Sequence, residues 1–224
     1  MIYRLMVVAA IFSFLTLTSS SIVSAVENDG IETGVATSTS RLFSRSLEKA
    51  KRGQIDQALE LAIQARESKP GDLKAGIRFI ETIAEISKCA DTDEAVGVLN
   101  EGIQAAAELR QMQVCDGSQD PTLGFEYMNS LVSLGKAVRG HQAETTSQLF
   151  LAVGDIANNL YSNPYVNPQA IKFLGEPFFN NAVGHALNGD GEQAVGSFRR
   201  AIEVGFTQFD RVNDEPAFDA LPES

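Results

Sequence analysis

The sequence predicts an all-α fold, built of about four antiparallel helix pairs and closed by a C-terminal cap. Three observations predict it. Between Arg41 and Gly205 apolar residues recur three and four apart, and no apolar–polar alternation of strand length appears. Helix-start and helix-stop residues punctuate that stretch at the intervals of short helix–turn–helix units. A set of small residues returns at one spacing in three places.

The chain opens MIYRLMVVAAIFSFLTLTSSSIVSA, in which Arg4 precedes a 12-residue apolar run from Met6 to Leu17 and a small polar segment ending Val23-Ser24-Ala25. This order predicts a secretory signal peptide over residues 1–25, cleaved after Ala25. The run is shorter than the roughly 20 residues that span a bilayer. The expectation is therefore a periplasmic or secreted protein with no membrane insertion after cleavage. Residues 26–40 are polar, with Gly, Thr and Ser, and read as a flexible leader.

The helical domain is expected over residues 41–205. Its first pair covers 41–52 and 54–68, with Leu59, Ala62, Ile63 and Ala65 on the helical period. Gly53 can take the left-handed conformation that ends a helix, and Pro70 cannot continue one. The second pair covers 72–89 and 91–112, and Asp91 opens an Asp-x-x-Glu start signal with Glu94. The third covers 121–139 and 142–161. Asp120 stands as a cap before Pro121, Leu131, Leu134 and Val138 line one stripe, and Leu149, Val153, Ile156 and Leu160 line the next. The fourth covers 168–188 and 191–205, with Asn167 as the cap before Pro168. In the tail, residues 206–224, Phe206, Phe209, Phe218 and Leu221 are expected to cover the last pair.

The recurring small residues are Gly53, Ala58, Ala65 and Pro70, at the spacing Gly-x4-Ala-x6-Ala-x4-Pro. Ala90, Ala95 and Gly102 take the first three places again, and Gly189, Ala194 and Ala201 take them a third time, with Phe206 where Pro70 stood. Alanines seven apart share one helix face, where a methyl lets a neighbouring helix approach closely. This spacing resembles the tetratricopeptide repeat (TPR), a helix–turn–helix unit of about 34 residues. Phe178, Ala182 and His185 fall where that family has a large, a small and an aromatic residue. The tail GFTQFDRVNDEPAFDAL resembles the closing segment of some bacterial repeat proteins.

The resemblance implies a TPR-like α-solenoid that binds a protein or peptide and is not an enzyme. It implies a partner groove on the first helix of each pair, lined here by Ile77, Ile80 and Ala84, and by Phe179, Val183 and Ala186. The expected role is a non-catalytic scaffold of the cell envelope or secreted fraction. The rival is an accessory module of a larger exported enzyme system, such as thiol–disulfide exchange.

Chemistry-bearing patterns are sparse. His141 and His185 are the two histidines, and no spacing completes a triad or a metal set. The loop Asn188–Glu192 departs from a calcium loop at Gln193 and Arg199. No catalytic residue, metal or cofactor is therefore expected. The formal net charge is −11; loss of Arg4 with the signal takes it to −12. Such a chain is repelled by nucleic-acid phosphates and anionic lipids. Cys89 and Cys115 flank a helix of roughly 20 residues, about 30 Å long, too far apart for a bridge. Cys89 is expected to be a buried apolar residue, and Cys115 the free thiol of a polar loop.

Overall fold

The computed structural model describes residues 33–112, 115–219 and 221. The expected signal peptide and residues 26–32 of the leader lie outside the described residues. The chain divides into a unit ending at Thr37 and a unit from Ser38 to Ser224. Every regular element among the described residues is helical: α1 (Thr33–Lys51), α2 (Ile55–Glu67), α3 (Leu73–Ser87), α4 (Thr92–Gln111), α5 (Pro121–Val138), α6 (Ala143–Ser162), a 3-10 helix (Pro168–Leu174), α7 (Gly175–Leu187), α8 (Gly191–Glu203), α9 (Asp210–Asn213) and α10 (Pro216–Asp219).

Local chemistry sets most of these ends. The Asp91 carboxylate accepts from the Asp93 and Glu94 amides, and Asp120 accepts from Thr122 and Leu123. Each satisfies donors that a helix start leaves without intrahelical partners. Gly53 and Gly189, at φ +72° and +80°, turn the chain between paired helices in the left-handed region that side chains disfavour.

Two elements depart from the sequence expectation. The leader is not flexible throughout, since α1 already begins at Thr33. Its buried stripe is Thr39, Phe43, Ser46 and Ala50. The spacing is helical, but two of the four are hydroxyl residues, so the apolar period is faint. Hydrogen bonding satisfies both: Thr39 Oγ1 meets Ser68 Oγ at 2.9 Å, and Ser46 Oγ donates to the Ala58 carbonyl at 2.6 Å. The expected helix 168–188 is instead a 3-10 turn followed by α7. Pro177 supplies the reason. It has no N–H to give the carbonyl four residues back, so it is accommodated in the first turn of a helix that starts at Gly175.

Packing follows the order of the chain. α2 packs on α3, α3 on α4, α4 on α5, α5 on α6, α6 on α7 and α7 on α8. Alternate helices also pack, α3 on α5 and α5 on α7. One core runs through these contacts, with Phe79, Ile83, Leu99, Met128, Leu134, Phe150 and Phe178 all fully enclosed.

The α6–α7 seam is a close one. A methyl on Gly184 would stand 2.9 Å from Phe150 Cβ and 3.2 Å from the Ser147 carbonyl oxygen. Ser147 Oγ donates to the Gly184 carbonyl at 2.9 Å. Asn181 lies where Gly154 leaves no room for a side chain, donates to the Phe150 carbonyl and accepts from Ser197 Oγ at 2.7 Å.

Candidate partner-binding surface

The six residues that the resemblance assigns to a groove are all in the core. Ile77, Ile80, Ala84, Phe179, Val183 and Ala186 are at most 3% exposed. The expectation that they meet a partner is corrected: neighbouring helices, and for Phe179 the tail, already cover them. The small-residue positions pack as their spacing predicts. Ala58, Ala65, Ala95, Ala194 and Ala201 are 4% exposed or less. A methyl on Gly102 would stand 2.8 Å from Ile83 and 2.9 Å from Leu134, so this place takes glycine in the second pair. Pro70 lies in the turn that follows α2.

The surface over α3 and α5 is polar. Lys74, Arg78, Glu81, Glu85 and Lys88 are exposed at intervals of four, three, four and three, which is one stripe of α3. Glu126 and Asn129 continue it on α5, and the charges of Glu81 and Glu126 oppose one another across the gap. The Glu81 carboxyl stands above its usual value. Loss of surrounding water is the main cause; Arg78 acts against it, and Glu126 and Glu85 add to it. At this end of the surface Glu81 therefore faces two like charges, Glu126 and Glu85, with Arg78 as the opposing cation.

The other end is held by ion pairs. Glu176 at the start of α7 receives Lys136 of α5 at 2.7 Å and also Arg211 of α9. Burial pushes the Glu176 carboxyl up, but hydrogen bonds and charge from Arg211 and Lys136 outweigh it and hold it below the usual value. Arg139 forks onto the buried Glu215, with one bond at 2.7 Å. The Arg211 guanidinium lies 4.6 Å over the Phe179 ring, which stacks on Phe206 at 4.7 Å. Phe206, Phe218 and Leu221 pack on the core as the tail expectation has it, while Phe209 stays half exposed. The stripe on α3 was legible in the sequence as charges at helical spacing; the tail's ion pairs join residues up to 76 apart and carry no local signal.

The cysteines are the reverse of their expectation. Cys89 is exposed just past the end of α3, and Cys115 is buried. Cys115 folds inward because the 115–120 loop docks on α5 and α6: Asn159 donates to the Asp116 carbonyl, and Asn163 to that of Gly117. Burial, then the charges of Asp116 and Asp120, push the Cys115 thiol up to about 11. It lines a cavity of about 210 Å³ with Tyr127, Ala152 and Ile156. A cavity of about 450 Å³ opens between α6 and α7, lined by Gln148, Leu151, Gly154, Asp155, Asn158 and His185 among others. His185 is half-buried; its buried Nδ1 has no hydrogen-bond partner and lies 3.9 Å from Asp190. His141 is exposed. Among the described residues no group of three or more His, Cys, Asp or Glu is placed to hold a metal ion, and no helix is long and apolar enough to cross a membrane.

The chain matches no protein-family model and no curated protein.

Proposed function

We propose that this chain is a TPR-like α-solenoid acting as an exported, non-catalytic scaffold for a protein or peptide partner. The observation that carries the reading is the packing of α3 on α5 and of α5 on α7 while each also packs on its sequence neighbours. Stacked helix pairs give that pattern, and stacking leaves the first helices side by side on one continuous face. The buried alanines at the repeated spacing support it. The partner surface is the charged stripe of Arg78, Glu81, Glu85 and Glu126, and the partner brings basic side chains to it. Glu81, which has lost solvent and faces Glu126 and Glu85, gains from a further cation beside the one Arg78 supplies. Export rests on the layout of residues 1–25. Cys115 gives the redox rival little support, since a buried thiol held near 11 is a poor nucleophile at neutral pH.

The test is capture from an envelope extract with three baits: the wild type, Glu81→Lys/Glu126→Lys, and the control Glu144→Lys on α6. A protein retained by the wild type and the control but lost by the double variant supports the reading. Identical capture by all three baits, or none by any, overturns it.

A further inference from the structure

We infer that the face of α5 and α7 is a binding site for an acidic, proline-containing aromatic peptide, and that residues 207–219 and Leu221 of this chain occupy it as a tethered ligand. The segment reads TQFDRVNDEPAFDAL. Its two helices, α9 and α10, have four residues each, too few to persist without packing. The described backbone hydrogen bonds of this segment, from Arg211 to Leu221, close on residues within it. What fixes it to the body is side-chain recognition of the kind a separate peptide would use.

Besides Arg211, which pairs with Glu176 and lies over the Phe179 ring, two anchors hold the segment. The Glu215 carboxylate, 5% exposed, sits in the Arg139 fork. A buried carboxylate on a guanidinium fork is specific in both charge and geometry. The Phe218 ring stands edge-on to Phe179 at 6.1 Å, within a cluster that includes Phe198 and Phe206. The neighbouring Ala217 is buried as well. Phe206 belongs to the body, because its amide closes α8 on the Ala201 carbonyl. Without the segment, Arg139 and the Lys136–Glu176 pair would flank an uncovered aromatic floor on a chain whose net charge is −11. Such a floor selects an acidic residue followed by an apolar aromatic one, the order of Glu215-Pro216-Ala217-Phe218. The pocket uses residues other than the carboxylates of the α3 stripe.

The experiment uses the full chain and a fluorescent peptide of residues 207–221, followed by anisotropy. In the wild type the tethered segment competes. In Glu215→Arg it is repelled by Arg139, so the added peptide should bind at least about thirtyfold more tightly than to the wild type, the scale set by a buried charge pair. The same peptide carrying Glu215→Ala should lose that gain. Equal binding to both chains, or none to a normally helical variant, overturns the inference. If Glu215→Arg does not fold, hydrogen exchange on Glu215→Gln decides. Amides of residues 209–219 should exchange about tenfold faster while those of α3 and α6 keep their rates. A tail that is unaffected, or one that opens together with α7, overturns it.

Discussion

At Cys115, burial and two adjacent carboxylates keep a thiol protonated where an exposed one would ionise. Alkylation of the native protein at pH 8 should modify Cys89 quickly and Cys115 only after denaturant is added, which peptide mass spectrometry resolves. Equal labelling would mean that the 115–120 loop opens freely. The same shift has a pH consequence. The folded thiol titrates near 11 rather than at its ordinary 9.0, so between these values the unfolded chain sheds its proton first. The stability that depends on Cys115 is present below pH 9 and declines as pH rises toward 11. The decline in urea midpoint over that range should be smaller in Cys115→Ser than in the wild type. Burial of Cys115 was not legible from sequence. Its neighbours Asp116, Gly117 and Ser118 mark a polar turn, and the bonds from Asn159 and Asn163 that pull the loop inward come from more than 40 residues away.

Helices show a different division between what local sequence reveals and what packing decides. Asp91, Asp120 and Asn167 were readable as caps because a cap bonds amides two or three residues on. The start of α1 was not, because Thr39 and Ser46 carry a buried stripe without apolar side chains. Helical spacing identifies residues that share a face and leaves open which faces the next pair will cover. That is why Ile80 and Val183 read as groove residues and are core. Ile80→Glu should therefore unfold the domain or cost at least about 3 kcal/mol, since it places an unpaired charge in a site with no exposure. Urea denaturation followed by circular dichroism checks this; near-wild-type stability would return Ile80 to the surface. Gly184→Ala tests the α6–α7 seam. The added methyl meets atoms fixed by backbone, and overpacking of about 1–3 kcal/mol should exceed the roughly 1 kcal/mol that alanine gains in helix propensity. A net loss of about 1 kcal/mol is expected; a stabilised variant would show that the seam yields.

For the molecule as a whole, export and assembly are separate questions. If residues 1–25 are removed on export, intact-mass measurement of the native protein should give an N-terminus at Val26. A chain that retains Met1 would contradict cleavage. Assembly turns on Asn181. Apolar faces of leucine and valine can slide past one another at small cost, so a stack of similar helices needs something to index it. Asn181 provides an index mark: its amide fits over Gly154 and joins Phe150 of α6 to Ser197 of α8. Sliding α7 by one turn, about 5.4 Å, would press that amide against a side chain and strand its polar atoms, at a cost of about 1–3 kcal/mol for each. The last two pairs are thus keyed to each other and are not interchangeable modules. A chimera that grafts α7 and α8 onto another helix pair without glycine opposite Asn181 would inherit the key without its slot.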